Sequence, residues 1–414
     1  MRIYPQYIPL TFMCLIVSIV LSGCSLLEMR SQAEVVEGTS SISGNIQIDY
    51  AASGEVYAVL LKEQGDILLW ENEFLVGENG KFLFYANKGN YVVGAFIDSD
   101  GDRRFKSGEP GTYIGIDQGR PEIINVGTGN DISVGLLEIS EPLTQKPARK
   151  LTFNRHKSTK NIGAVISLDS SIFSDENVSA GMWKPLDFLA RTGAGLYFLD
   201  EYQQQKTPII FIHGIMGNPR IWENIVSSID TEIFQPWVFY YPSGVRLDMV
   251  SDYLIKATTE LEQRYHYPEF YVVAHSMGGL VARSFVKKYQ TTLNPAKLNL
   301  VMTINSPMGG MASARSGVER SPIVVPSWRD VATGSEFLAD LKTWKWPQDI
   351  PYHLVFSYEK GEAGDGIVQI HNQIPYFLQR DAVGLYGYNA EHTGILDNEI
   401  FIADFIEIIE NASN

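Results

Sequence analysis

Phe270-Tyr-Val-Val-Ala-His-Ser276-Met-Gly-Gly279 runs without a break into Leu280-Val-Ala-Arg-Ser-Phe285. Residues 270–275 have the β-branched and aromatic make-up of a buried strand, and Gly279 to Tyr289 carries apolar residues at helical spacing. A strand that turns at once into a helix brings two backbones together, so only small residues fit two before and two after the turn. Ala274 and Gly278 stand there, with Ser276 at the apex. The nucleophile-elbow pattern usually has glycine at the first of these positions, and Ala274 adds one methyl group to it. A glycine-rich turn that merely packs tightly is the alternative reading. The flanking strand and helix, and the partner residues found later in the chain, weigh against it.

The same alternation extends in both directions. Strands are expected at Lys206 to His213, Pro236 to Tyr241, Leu298 to Ile304, His353 to Tyr358 and Ala382 to Tyr388. Helices are expected at Pro219 to Ile229, Asp248 to Tyr265 and Asn398 to Ile409. Strands alternating with long helical patterns predict a mostly parallel sheet wrapped by helices, with residues 151–205 adding its first strands and a helix. An insertion at about 311–351, holding Trp328, Phe337, Trp344 and Trp346, reads as cap-like. Its aromatics suit an acyl pocket and a small core of their own equally well.

A serine hydroxyl is a weak nucleophile unless a base takes its proton and an acid orients that base. In elbow-bearing sheets these partners follow the serine in the order acid, then histidine. His353, His371 and His392 follow Ser276. His353 opens a buried strand and His371 lies too soon after the acid, whereas His392 sits in a loop between the last strand and the closing helix. Asp365 stands between Gly364 and Gly366 at the end of a strand, where such sheets build their sites; Glu362, Asp381 and Asp397 are the other candidates. Oxyanion donors are expected in the backbone N–H groups of Met277 and of Ile215, in His213-Gly-Ile-Met-Gly217. His213 reads as a loop brace and His275 as a buried neighbour of the serine.

Upstream, 414 residues exceed what one core usually supports, which predicts two domains. The formal net charge of −15 repels phosphate backbones and excludes nucleic-acid binding. Met1 to Cys24 reads as an export signal, since the apolar run from Ile8 to Leu21 is shorter than the ~20 residues that span a bilayer. Leu21-Ser-Gly-Cys24 resembles the bacterial lipobox, which implies cleavage after residue 23 and a lipid anchor on Cys24 at the cell envelope. Ser25 in place of aspartate implies the outer membrane if the cell is Gram-negative. Cys14 is lost with the leader, so no thiol remains for disulfides or catalysis. Residues 24–40 read as a solvated tether, 41–140 as a small all-β sandwich with punctuated alternating runs, and 141–150 as a linker. Within the sandwich, Asp98, Asp100, Asp102 and Glu109 occupy positions 1, 3, 5 and 12 of a calcium loop. Arg103 at position 6, the neighbouring Arg104 and Lys106, and strand-like flanks favour an acidic hairpin turn instead.

The blocks His213 to Gly217, Ala274 to Gly279, Gly364-Asp-Gly-Ile-Val368 and His392-Thr-Gly-Ile395 stand in a familiar order. They resemble the Ala-His-Ser-Met-Gly-Gly lipases and the GPI inositol-deacylase-like hydrolases over roughly residues 205–412. Asn305-Ser-Pro307 supports only the fold, because Met308 stands where those proteins often have histidine. The resemblance implies an α/β-hydrolase fold and cofactor-free hydrolysis of acyl lipids or related esters by Ser276, Asp365 and His392 in residues 151–414. Two rival functions are an acyltransferase using the same triad and an idle surface-binding lipoprotein.

Overall fold

The structure, a computed structural model, describes residues 25–51, 53–144, 151–153, 161–292 and 296–413. The leader and Cys24 lie outside the described residues. The first element is a helix, α1 (25–37). The strand-rich domain follows with β1 (Ser40–Ile48), β2 (Glu55–Gln64), β3 (Ile67–Leu75), β4 (Lys81–Ala86), β5 (Gly89–Asp98), β6 (Gly111–Tyr113), β7 (Ile124–Val126), β8 (Asp131–Ile139) and β9 (Leu151–Phe153). One sheet has the order β4-β1-β8 and the other β6-β5-β2-β3-β9, with β7 also pairing with β5.

Period-two alternation puts Ala58 and Leu60 of β2 in the core that also holds Ile42 and Phe84 of the smaller sheet. Tyr57, Val59 and Leu61 point the other way, into a second core closed by Phe105 and Leu143. Burial on both faces explains why β2 reads as a continuous apolar run.

The second domain is built on an eight-stranded sheet. Its strands are β10 (Ile162–Val165), β11 (Gly195–Phe198), β12 (Thr207–Ile212), β13 (Phe234–Tyr240), β14 (Glu269–His275), β15 (Lys297–Ile304), β16 (Tyr352–Tyr358) and β17 (Gly384–Asn389). Their order is β10-β11-β13-β12-β14-β15-β16-β17. From β13 to β17 every neighbouring pair is parallel, and β11 meets β13 antiparallel. Helices α2 (Asp175–Trp183) and α3 (Pro185–Arg191) precede β11; α4 (Glu223–Ser228), α5 (Leu247–Tyr265) and α6 (Met277–Tyr289) lie between strands. The insertion folds as α7 (Ala312–Arg320), α8 (Pro326–Val331) and α9 (Glu336–Thr343), and α10 (Ile370–Gln373), α11 (Tyr376–Asp381) and α12 (Glu399–Ala412) complete the chain. Ile210, Val272 and Val301 pack under α5 and α6, while Ile209, Val273 and Met302 pack under α12. Helices on both faces bury the central strands β12, β13 and β14 almost completely, as parallel sheets require.

Three boundaries depart from the sequence reading. Residues 25–37 are a docked helix, not a solvated tether. Val36 is buried in the main core, and the Gln32 side chain accepts from the Leu186 and Asp187 backbone N–H groups at 3.0 and 3.3 Å, capping α3. Glu37 pairs with Arg246 and Arg329, each at 3.3 Å. Polar composition hid one thin apolar edge, which only the partner surface reveals. The expected linker begins inside the sandwich, where Leu143 is 1% exposed and its N–H donates to the Glu109 carbonyl at 2.7 Å. Finally, Leu151–Phe153 pairs with β3, so it completes the first domain's sheet and does not open the second's.

The two domains are joined by polar contacts to α5. Tyr85 donates to Asp252 at 2.6 Å and Gln263 donates to the Val76 carbonyl at 3.0 Å.

Candidate active site

Ser276 stands between β14 and α6 with φ 54° and ψ −129°, a strained conformation for a residue with a side chain. Packing holds it there. A Cβ on Gly278 would lie 2.5 Å from the carbonyl oxygens of both Ile212 and His213, so the helix start rests directly on the end of β12. The Ser276 N–H donates to the Ile304 carbonyl at 2.8 Å, tying the apex to the next strand.

Three loops converge on this hydroxyl. Ser276 Oγ lies 2.9 Å from His392 Nε2, and His392 Nδ1 lies 2.7 Å from Asp365 Oδ2. A carboxylate only accepts, so the proton is on Nδ1 and Nε2 is free to accept from the serine. Asp365 is 1% exposed, and its other oxygen accepts from the N–H groups of Ile367 and Val368 at 3.0 and 2.7 Å. The other carboxylates are spent elsewhere: Asp381 binds Arg283 at 2.8 Å and Asp397 accepts from Asn224 at 2.8 Å, while Glu362 is exposed. His353 bonds to Tyr386 at 3.1 Å, and His371 is exposed on α10.

The His392 backbone is fixed from both sides. Its N–H donates to the Asp365 carbonyl at 2.9 Å, and its carbonyl accepts from His275 Nε2 at 2.8 Å and from Asn305 Nδ2 at 2.9 Å. Asn305 also donates to Ser357 Oγ at 2.7 Å. The sequence reading took Asn305 as support for the fold alone and gave it no place in the site. The one available signal was an amide at the carboxyl end of a buried parallel strand, beside the serine strand.

Gly214 backs onto the serine so closely that a Cβ there would lie 2.7 Å from Ser276 Cβ. In the loop that follows, the Met216 N–H donates to Ser243 Oγ at 3.1 Å and the Gly217 N–H to the Gly214 carbonyl at 3.2 Å. Neither of these claims Ile215. Met277 opens α6, where the first N–H groups have no partner within the helix. Gly214, the neighbour of Ile215 in the chain, thus packs against Ser276, and Met277 follows the serine directly.

His213 is the brace the sequence suggested. Its Nδ1–H donates to the Gly214 carbonyl at 2.8 Å, its Nε2 accepts from Tyr241 N–H at 3.4 Å, and its ring stacks on Tyr241 at 4.3 Å. Burial pushes His213 down to about 4. Burial first, and then the nearby His392, pushes His275 down to about 3. Unfolded, both would take up protons near pH 6.5. Their contribution to stability is therefore complete above that pH and is lost as pH falls towards 4 and 3. A His275→Gln variant keeps a donor for the His392 carbonyl but cannot titrate. Its melting temperature relative to the wild type is expected to rise progressively as pH is lowered from 7 to 4.

The insertion's aromatics pack as core. Trp344 and Trp346, with Phe377 of α11, surround the Arg283 guanidinium at 5.2–5.3 Å, Trp346 stacks on Tyr352 at 4.6 Å, Trp328 meets Trp183 edge-on at 5.8 Å, and Phe337 packs against the main core.

In the first domain, oxygens of Asp98, Asp100 and Asp102 come within 4.8 Å of one another, but Glu109 is not among them. Both Asp98 oxygens accept backbone N–H groups, from Gly101 and Arg103 at 3.0 Å. Lys106 Nζ sits between Asp100 and Asp102 at 2.5 and 2.9 Å, and Glu109 turns to the Ser99 N–H at 3.1 Å. This donor set fits the acidic turn favoured by the sequence better than a calcium ion, because the lysine already supplies the positive charge and the twelfth-position carboxylate stays outside the cluster.

Residues 245–407 match a family model described as an alpha/beta hydrolase of unknown function (DUF915). No curated protein matches the chain. Among solved structures, the chain is similar to the Bacillus licheniformis lipase BlEst2 in its mature form, with 17% identity and a TM-score of 0.40 over 51% of this chain and 94% of that one. It is also similar to the lin2722 gene product of Listeria innocua (17%, TM-score 0.38, 50% and 94%) and to a lipase-esterase related protein from Clostridium acetobutylicum (12%, TM-score 0.38, 52% and 98%). The sheet order, the strained serine turn between β14 and α6, and the family match place residues 162–412 in the α/β-hydrolase fold, preceded by a strand-rich domain.

Proposed function

We propose that this chain is a serine carboxylic-ester hydrolase, a lipase or esterase, that acts through an acyl-enzyme on Ser276. The observation that supports this reading most is the continuous line from Ser276 Oγ through His392 to Asp365, at 2.9 and 2.7 Å. His392 Nε2 takes the hydroxyl proton as Oγ attacks the ester carbonyl, and Asp365 stabilises the imidazolium that forms. The N–H groups of Ile215 and Met277 receive the oxyanion. His392 then returns the proton to the departing alcohol, and water repeats the sequence to release the acid. Exposed Ile215, Met216 and Ile367, on the loops beside the serine and the acid, suit an apolar acyl ester. An acylated Cys24 would hold the protein at the cell envelope, with α1 starting directly after the anchor.

A fluorophosphonate probe is expected to label the wild-type protein and not Ser276→Ala, and hydrolysis of p-nitrophenyl esters is expected to disappear with the label. An unlabelled wild type would overturn the proposal.

A further inference from the structure

A cavity of about 760 Å³ lies between the two domains, away from Ser276. Phe74 and Phe82 of the first domain form one wall, and Phe239, Val245, Met249 and Tyr253 of the second form the other. The size and the predominance of apolar lining are those of a small-molecule site, in which one or two polar groups set the orientation of the ligand.

The polar groups here are unequal. Lys288 is neutralised by Asp248 and Asp252 at 2.7 and 2.6 Å. Among the described residues, Lys256, on the same cavity wall, donates only to uncharged oxygens: Asn72 Oδ1 at 3.2 Å and the Glu73 carbonyl at 2.5 Å. Glu260, one turn along the same helix, is taken by Arg264 at 2.6 Å and faces Arg103 at 3.9 Å. An ammonium has three N–H donors, so Lys256 has one left for an acceptor within the cavity. Burial pulls its pKa down, which marks it as a cation short of solvent. Glu260 and Glu73 act on it electrostatically without hydrogen-bonding to it, so what it lacks is a third acceptor, which an anionic oxygen in the cavity would supply.

We propose that this interdomain cavity binds a single-chain anionic amphiphile, a long-chain fatty acid, with its carboxylate on Lys256 and its chain among the aromatic side chains. Lys81 and Glu71 also line the cavity, but Lys81 is exposed; Lys256 is the less exposed ammonium there that is not held in a salt bridge among the described residues, and such a lone ammonium suits a carboxylate. A phosphate would favour the paired donors of a guanidinium, and none lines the space. Neither Ser276, His392 nor Asp365 lines it, so binding here is independent of the ester hydrolysis proposed above.

The test is displacement of the fluorescent fatty acid cis-parinaric acid from the full chain carrying Ser276→Ala, which removes any acyl-enzyme. Palmitate is expected to displace one bound equivalent, and methyl palmitate to do so at least tenfold more weakly. Adding Lys256→Met should weaken palmitate at least tenfold and leave methyl palmitate unchanged. A Met249→Trp variant, which fills the cavity, should abolish binding of both, while each substitution made in the wild-type background keeps p-nitrophenyl ester hydrolysis within twofold. Absence of saturable binding, equal affinity for palmitate and its methyl ester, or tighter binding of lysophosphatidic acid than of palmitate would overturn the assignment.

Discussion

Replacing Asp365 by asparagine is expected to lower kcat/KM for a p-nitrophenyl ester by roughly 10⁴-fold without unfolding the protein. The reason lies in what each carboxylate oxygen does. Oδ1 accepts two backbone N–H groups, from Ile367 and Val368, so in the variant that position must remain an oxygen. The amide NH₂ is then forced to face His392 Nδ1, where the carboxylate accepted at 2.7 Å. Two donors cannot meet, so the imidazole proton moves to Nε2, and the ring can no longer accept from Ser276. Shape and volume are conserved, so the melting temperature should move by no more than a few degrees. Activity above a tenth of the wild type would show that Asp365 does not set the tautomer. Slow residual labelling by fluorophosphonate is compatible with the expected loss, because the serine and its oxyanion donors remain in place.

The second large effect concerns stability. Arg283→Ala is expected to cost roughly 3–5 kcal/mol, because it leaves Asp381 in a poorly hydrated site with only the exposed Arg380 near it, at 3.8 Å. Arg283 is 1% exposed and Asp381 9%. The guanidinium also donates to the Leu341 and Trp344 carbonyls at 3.2 and 3.4 Å, inside the ring of Trp344, Trp346 and Phe377. One side chain on the serine-bearing helix thus fastens the 311–351 insertion and α11 to it. For a domain of this size the loss corresponds to roughly 10 °C in melting temperature. Pairing Arg283→Met with Asp381→Leu should recover most of it, since apolar side chains of similar volume need no counter-charge. If the double variant melts as low as Arg283→Ala, the stabilisation comes from aromatic packing on the guanidinium and not from the charge pair.

The pattern of what was legible follows from the range of each interaction. The serine turn could be read directly, because strand composition, small residues at Ala274 and Gly278, and helical spacing all act within about fifteen residues. The order of the later partners narrowed the base to His392, and the geometry brings it within hydrogen-bond distance of Ser276. Asn305 was read for the fold and not for the site because its role is to hold a carbonyl 87 residues away, a relation that leaves no local spacing. Helix α1 was misread for a related reason. Its Ser and Glu content matches a tether, and the surface that orders it, with Leu186, Arg246 and Arg329, is far along the chain. In the acidic loop the spacing was right for carboxylates to converge, and three of them do. Lys106 was already one of three cations that spoke against a metal there, but only the folded loop shows that it is the one that settles between Asp100 and Asp102.

Local order is therefore written in the chain itself: buried strands from their apolar runs, the strained serine from the small residues around it, the succession of strands and helices from their periodicities. Those features arise from steric limits and burial patterns that span a few neighbours. Asp365 led as the carboxylate for His392 on its place at a strand's end, with Glu362, Asp381 and Asp397 as alternatives until the sheet was assembled. Tertiary structure decided it by giving Asp381 to Arg283 and Asp397 to Asn224, and by leaving Asp365 buried beside the imidazole. A buried charge must find a partner, and only the folded chain determines which partner is within reach.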